Sequence, residues 1–89
     1  MEDFIHDRYG WCYFVIEPDN NPLIFNLYVD PQHRRKGHAR RYLNYVINRI
    51  REYGYTGEIE IQAKPKEMSI DRNKLVSFYE KMALKVIGT

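Results

Sequence analysis

The chain has 89 residues, of which 44% are hydrophobic and 29% are charged, and its formal net charge is +2. This composition excludes a disordered segment, and the single cysteine, Cys12, excludes an internal disulfide. The length predicts one domain, spanning residues 1–89, near the lower limit of what folds without disulfides or metals. Because no apolar run resembles a signal peptide or a membrane span, we expect a cytoplasmic protein without a membrane anchor.

The first predicted elements form a β-hairpin. Residues 11–17 are rich in aromatic and β-branched side chains, which predicts a strand that is apolar on both faces. Residues 18–22 have the composition of a turn, and residues 23–29 are apolar enough to form the second strand. The preceding residues, 1–9, mix charged and aromatic side chains without a clear period, so no element is predicted there.

An amphipathic helix is predicted directly after Gly37. Its apolar residues recur at helical spacing on one face: Ala39, Tyr42, Leu43, Val46, Ile47 and Ile50. The opposite face carries arginine and asparagine side chains, which suit contact with solvent. Gly54 suits the C-terminal end of this helix.

The last third of the chain predicts a strand, a helix and a second strand. Residues 58–63 alternate between polar and apolar side chains, as a half-buried strand does. Residues 64–70 form a polar loop, and either Ser69 or Asp71 caps the helix that follows. With a short final strand at 84–87, the predicted order is β-β-α-β-α-β, and we expect an α/β (α+β) fold with a mixed sheet.

The most informative segment runs from Val29 to Leu43, where an apolar strand leads through a basic turn into the first helix. Gly37 ends that turn, so free N–H groups and the positive end of the helix dipole face one point. Five cations surround the point: Arg34, Arg35, Lys36, Arg40 and Arg41. The pattern predicts a site for a phosphate or pyrophosphate. The alternative is a basic turn that contacts only solvent.

This segment resembles the acetyl-CoA signature of the GCN5-related N-acetyltransferases, the GNAT superfamily. The core of the match is Arg-Arg-Lys-Gly-His-Ala at residues 34–39, with Val29 and Pro31 before it and Leu43 after it. A weaker match lies at residues 78–84, which resemble the family's Leu/Phe-Tyr-Glu-Lys-x-Gly-Phe ending with Ala in place of Gly and Leu in place of Phe. The resemblance implies a GNAT-like mixed sheet that lacks most of the usual N-terminal strand and helices.

The resemblance also implies that acetyl-CoA is the cofactor and that its acetyl group passes directly to an amine, leaving coenzyme A. The turn is expected to bind the pyrophosphate, and the strand before it to pair with the pantetheine arm. The residues expected to contact the cofactor are Leu27, Val29, Arg34, Arg35, Lys36, Gly37, His38, Ala39, Arg40 and Asn73. Tyr79 is expected to protonate the leaving thiolate, while its place on the apolar face of its helix also suits a core residue.

The chain departs from the family pattern at its N-terminal end. Most members carry a strand and a helical pair there that help to form the acceptor pocket, whereas only residues 1–10 precede the first predicted strand. We therefore expect one of three arrangements: a macromolecular acceptor that docks on an open face, a second copy in a homodimer that completes the site, or acyl-CoA binding without catalysis.

Other functions stay open at this stage. The alternative to an enzyme is a non-catalytic acyl-CoA-binding or protein-interaction module with the same fold. Nucleic-acid binding through the arginines is disfavoured by the low net charge and by the acidic residues Glu58 and Glu60. No clear general base is present, although Asp30, Glu58 and Glu60 are candidates. Cys12 and the histidines lack any zinc-binding spacing, so no metal site is predicted.

Overall fold

The computed structural model describes residues 1–63 and 71–88. In these ranges it contains the strands β1 (Glu2–Asp7), β2 (Gly10–Val15), β3 (Leu23–Val29), β4 (Glu60–Gln62) and β5 (Lys85–Ile87), the helices α1 (His38–Glu52) and α2 (Arg72–Lys81), and a 3-10 turn (Pro31–His33). The predicted polar loop at 64–70, with the alternative cap Ser69, lies outside the described residues. None of the described helices is long and apolar enough to cross a membrane.

The strands form one mixed sheet in the order β1-β2-β3-β4-β5. The first three strands pair in antiparallel fashion, whereas β3 with β4 and β4 with β5 are parallel pairs. Parallel neighbours need a crossover, and α1 and α2 supply the two crossovers. The predicted α/β fold and the order β-β-α-β-α-β are confirmed, with β1 added ahead of the predicted elements.

Strand β1 alternates its side chains between the two faces of the sheet. Asp3, Ile5 and Asp7 face the helices and are half-buried, whereas Phe4 and His6 point to the opposite face and are exposed. Two of the three positions that face the helices are therefore aspartates. That is why residues 1–9 show no apolar period in the sequence and why the strand was not predicted.

The core lies between the sheet and the two helices. Its buried residues are Cys12, Phe14, Ile16, Ile24, Val29, Tyr42, Leu43, Val46, Ile50, Ile59, Ile61, Ala63, Tyr79 and Leu84. The predicted apolar stripe of α1 supplies four of them, so the period of that helix is confirmed. Tyr79 of α2 belongs to the same buried core as Cys12 of β2, and the two side chains lie close enough to interact electrostatically. Helix α2 therefore packs on the same face of the sheet as α1.

Two ion pairs tie β1 to α1. Arg49 lies 3.0 Å from Asp3, and Arg41 lies 2.8 Å from Asp7. The Tyr42 hydroxyl and the backbone N–H of Tyr9 also donate hydrogen bonds to Asp7. Partial burial of the Asp7 carboxyl opposes its ionisation, but the hydrogen bonds and the Arg41 charge outweigh it and hold its pKa well below the usual range.

Among the described residues that carry a side chain, three adopt the left-handed conformation. Asn26 (φ 57°) lies in the middle of β3, and Arg35 (φ 62°) lies in the turn before α1. Ala83 (φ 61°) lies just after α2, at the position where the family pattern has glycine. Left-handed backbone costs an L-residue about 1–2 kcal/mol, so the surrounding structure must hold each of them in place.

Asp7→Asn tests the connection between β1 and α1. We expect a loss of about 1–2 kcal/mol in the free energy of unfolding at neutral pH, because hydrogen bonds to a charged carboxylate are lost at a partly solvated position. Since the folded-state pKa of Asp7 is lowered, its contribution is complete above the unfolded pKa of about 4 and disappears as the pH falls. Urea unfolding at neutral and acidic pH measures both effects. An equal loss in Asp19→Asn, in the exposed hairpin turn, would contradict this account.

Candidate functional site

Strand β3 continues past the point where its pairing with β4 stops. Within the described residues, β4 pairs with β3 only at Leu23 and Ile24, opposite Glu60 and Ile61. On its other edge, β3 stays paired with β2 as far as Val29. The part of β3 after Ile24 therefore has an edge that does not pair with β4, and the two parallel strands separate there.

A bulge shapes this part of β3. The register between β2 and β3 shifts between Trp11 and Tyr13, and Asn26, on the opposite strand, adopts φ 57°. The indole Nε1 of Trp11 donates a hydrogen bond of 3.2 Å to Oδ1 of Asn26, which holds the bulge in place. The bulge changes the direction of the chain just before Leu27, which lines the cleft described below.

The turn after β3 folds back on the end of the strand. Asp30 accepts a hydrogen bond from the Gln32 N–H at 2.9 Å and caps the 3-10 turn. Nε of Arg34 then donates to the carbonyl oxygen of Val29 at 3.0 Å. The left-handed residues Arg35 and Gly37 (φ 84°) complete the turn and lead the chain into α1.

Helix α1 begins with three backbone N–H groups that precede its first helical hydrogen bond. Gly37 is the N-cap, and its carbonyl accepts the first helical hydrogen bond from Arg41 at 3.0 Å. The N–H groups of His38, Ala39 and Arg40 therefore precede the first helical bond, and the N-cap Gly37 itself supplies no side chain to cap them. Together with the positive end of the helix dipole, they form a binding site for an anion.

These elements enclose a cleft of about 860 Å³. Its walls are the end of β3, the basic turn, the first turn of α1 and one face of α2. The lining residues are Leu27, Tyr28, Val29, Pro31, His33, Arg34, Arg35, Gly37, His38, Ala39, Arg40, Asp71, Lys74, Leu75, Phe78 and Tyr79. Nine of the eleven residues that the sequence predicts for the site are among them.

Three residues from the sequence interpretation lie elsewhere. Lys36 and Asn73 are exposed and do not line the cleft, and the Asn73 N–H donates to Oδ1 of Asp71 at 2.9 Å. This hydrogen bond confirms Asp71 as the cap of α2. Arg41 is expected beside the anion, but it instead pairs with Asp7 at the end of β1.

Tyr79 lies between the cleft and the hydrophobic core. Its side chain lines the cleft and is only 3% exposed. Burial raises its pKa well above the ordinary value, and the nearby Cys12 adds to this effect. The phenol is therefore protonated throughout the neutral and moderately alkaline range. Burial also raises the pKa of Cys12 to about 12, so this thiol is not a nucleophile at neutral pH.

The sequence interpretation missed the contribution of α2 to the cleft. Lys74, Leu75 and Phe78 line it beside Tyr79, and the Arg40 guanidinium lies 5.8 Å from the centre of the Phe78 ring. Their spacing along α2 places them on one helical face, which was the available signal. The other lining residues that were not predicted are Tyr28, Pro31, His33 and Asp71.

Histidine and tyrosine rings pack together at the mouth of the cleft. The Tyr9 ring stacks on His38 at 4.1 Å and meets His33 edge-on at 4.8 Å between centroids. The Arg41 guanidinium lies 3.0 Å from Nδ1 of His38, in a contact whose donor depends on the ring tautomer. Within the described ranges, no group of His, Cys, Asp and Glu side chains is arranged to hold a metal ion.

The geometry suits an elongated ligand with a phosphate group. The helix N-terminus and the basic turn suit the phosphate, and the edge of β3 beyond Ile24 suits an extended polar arm. The model of the acetyltransferase (GNAT) family matches residues 7–83, and the chain belongs to this family. The comparisons with curated proteins and with solved structures gave no significant match.

Gly37→Ala tests whether the turn needs glycine for its backbone conformation. A Cβ at this position meets no atom within 4 Å, so the cost comes from φ 84° alone, and we expect a loss of about 1 kcal/mol in the free energy of unfolding. Gly57→Ala is the matched control, since its Cβ also meets no atom and its φ is not positive. Chemical denaturation compares the two variants, and equal stabilities would contradict the argument.

Proposed function

We propose that the protein is an acetyl-CoA-dependent N-acetyltransferase that passes the acetyl group directly to an amine. The observation that carries the proposal is the continuity of one cleft from the edge of β3 to the N-terminus of α1. Membership of the acetyltransferase (GNAT) family supports the same cofactor and reaction class. The acceptor is an amine on a small molecule or a protein.

The residues present suit coenzyme A in three respects. The N–H groups of His38, Ala39 and Arg40, with the side chain of Arg35, suit the pyrophosphate. The edge of β3 at Leu27 and Val29 suits the amide groups of the pantetheine arm. The apolar residues Leu75 and Phe78 of α2 line the same cleft. Lys36 and Asn73 are exposed and do not line the cleft, so no contact with the cofactor is proposed for them.

Tyr79 is the proposed proton donor. When bound, acetyl-CoA supplies an activated thioester that an amine can attack. Tyr79 holds a proton at Oη beside the cleft, and its raised pKa keeps the phenol in the protonated form that a proton donor needs. No covalent enzyme intermediate is required, in agreement with the buried and protonated Cys12.

The remaining parts of the proposal concern location and general base. A free buried cysteine suits a reducing compartment, and we propose the cytoplasm. Asp30 caps the 3-10 turn, Glu60 contacts Asn21, and Glu58 lies 3.7 Å from the amino group of Lys85, so all three candidate carboxylates already have structural partners. Within the described residues we therefore assign no side chain as base, and solvent is the proposed route for the amine proton.

Acetyl-CoA is expected to raise the Tm by several degrees at saturating concentration, since each kcal/mol of binding shifts the Tm of a domain of this size by about 4–8 °C. Gly37→Glu places a carboxylate at the anion site and is expected to abolish the shift. Gly57→Glu adds the same charge away from the cleft and is expected to retain it. Thermal unfolding with millimolar acetyl-CoA makes the comparison. No shift in the unmodified protein would overturn the proposal.

Tyr79→Phe is expected to lower turnover by about 100-fold, as general-acid catalysis contributes, while leaving the affinity for acetyl-CoA nearly unchanged. Thiol release with a panel of amines measures the first effect, and the ligand-induced Tm shift measures the second. Since the protonated phenol is the active form and its pKa is raised, turnover is expected to show no decline near pH 10, the ordinary pKa of tyrosine.

The outcomes separate the catalytic role from the alternatives. An equal loss of turnover and affinity assigns Tyr79 to the core alone. Binding of acetyl-CoA without thiol release for any amine supports the non-catalytic acyl-CoA-binding module. A decline in turnover near pH 10 that is absent from Tyr79→Phe would contradict the raised pKa.

A further inference from the structure

The bulge in β3 reverses which backbone groups face the cleft. Just before β3, the carbonyl oxygen of Pro22 accepts a hydrogen bond of 2.9 Å from the N–H of Glu60 in β4. Just after β3, the N–H of Asp30 donates at 2.7 Å to the carbonyl oxygen of Tyr9, on the side of β2. Alternate residues of a strand direct their backbone groups to opposite edges, so these two even-numbered residues would share an edge in a regular strand. The extra residue of the bulge exchanges the edges.

The reversal directs the backbone groups of Leu27 and Val29 toward the edge of β3 that lacks pairing with β4. Since Asp30 points to β2, its neighbour Val29 points away from β2, and Leu27 does the same. The carbonyl oxygen of Val29 accordingly accepts a hydrogen bond from Nε of Arg34, which lines the cleft. Leu27 and Val29 are the residues proposed to pair with the pantetheine arm. Without the bulge, their backbone groups would point to β2 instead.

Trp11 contacts the bulged segment at two points. Its indole Nε1 donates a hydrogen bond of 3.2 Å to Oδ1 of Asn26, whose φ is 57°. Its ring also stacks on Tyr28 at 4.6 Å between centroids, and the Arg34 guanidinium lies 6.0 Å from the centre of the same tyrosine ring. Tyr28 and Arg34 line the cleft, whereas Trp11 does not. Trp11 therefore holds the residues on either side of Leu27 without lining the cleft itself.

We propose that Trp11 is a positioning residue for the acyl-CoA ligand, an inference that rests on the proposed function. Left-handed backbone is unfavourable for asparagine as for other L-residues, and the hydrogen bond from Trp11 offsets this cost at Asn26. The indole thereby keeps β3 in the register that presents Leu27 and Val29 to the pantetheine arm. Its effect on the ligand passes entirely through the backbone of β3.

Trp11→Phe keeps a ring against Tyr28 and removes the N–H donor. We expect the Kd for acetyl-CoA to rise by about threefold to tenfold, because only about a third to a tenth of the molecules then hold the bulged register. Asn26→Ala removes the acceptor and is expected to have the same effect. Val15→Ala, farther along β2 and paired with Leu23 before the bulge, is the control. It is expected to lower the Tm without changing the Kd, which isothermal titration calorimetry measures for every variant.

Asn26→Gly provides a rescue that separates positioning from packing. Glycine adopts the left-handed conformation without steric cost, so the bulge no longer needs the indole hydrogen bond. This variant is expected to bind acetyl-CoA with nearly the affinity of the unmodified protein. Trp11→Phe in the Asn26→Gly background is then expected to change the Kd by less than about twofold. A contribution of the indole to packing alone would give the same loss in both backgrounds.

The indole N–H of Trp11 supplies a spectroscopic signature. Because the chain has one tryptophan, a proton–nitrogen correlation spectrum contains one indole resonance. Saturating acetyl-CoA is expected to shift this resonance and to slow its exchange with solvent, since the ligand favours the conformation in which the hydrogen bond forms. In Asn26→Gly, which lacks the acceptor, acetyl-CoA is expected to leave the exchange rate unchanged. The Tm of each variant shows that it is folded.

Three results would overturn the positioning role of Trp11 while leaving the proposed function intact. The first is an equal rise in Kd for Trp11→Phe and Val15→Ala. The second is an Asn26→Ala variant that binds acetyl-CoA as tightly as the unmodified protein. The third is a loss from Trp11→Phe that Asn26→Gly does not suppress. An unmodified protein that does not bind acetyl-CoA would overturn the proposed function, and the positioning role with it.

Discussion

Among the described residues, strand β3 pairs with β2 on both sides of its bulge but pairs with β4 only at Leu23 and Ile24. The pairing with β2 extends as far as Val29, while the short pairing with β4 leaves unpaired the edge of β3 that lines the cleft. Unpaired backbone groups are costly when buried, but here they line a cleft where a ligand with amide groups can satisfy them. The cleft therefore depends on an inequality in strand pairing more than on any single side chain.

The second requirement is that the N-terminus of α1 points into this cleft. Arg34 connects the turn to the end of β3 by a hydrogen bond to a backbone carbonyl. Asp7 of β1 accepts hydrogen bonds from Arg41 and Tyr42 and so connects β1 to the beginning of α1. Together these contacts limit the movement of the turn and of the helix start. Because the Arg41 guanidinium pairs with Asp7, it stabilises the fold and does not face the ligand. Fewer cations therefore face the ligand than the sequence of the basic turn predicts.

The sequence predicts what local rules control and misses what distant pairing controls. The stripe of α1, the start of that helix directly after Gly37 and the cap at Asp71 each follow from spacing or capping preference over a few residues, and the structure contains all three. Strand β1 was missed because its aspartates are matched by arginines 34 and 46 residues away. Spacing places Lys74, Leu75 and Phe78 on one face of α2, but the position of that face relative to the cleft depends on how α2 packs on the sheet, which no local pattern encodes.

The left-handed residues other than glycine occupy the joints that shape the site. Asn26 forms the bulge under the cleft, Arg35 turns the chain toward α1, and Ala83 ends the helix that carries Tyr79. Each joint is held against the preference of its own backbone, at about 1–2 kcal/mol apiece. The free energy of unfolding of a domain of this size is on the order of 5–10 kcal/mol. The strain at these three residues therefore lowers the stability of the domain by a substantial fraction. Substitutions that relieve this strain are expected to stabilise the folded chain. The same substitutions change the backbone geometry of the cleft that a ligand requires, so stability and binding oppose each other at these positions.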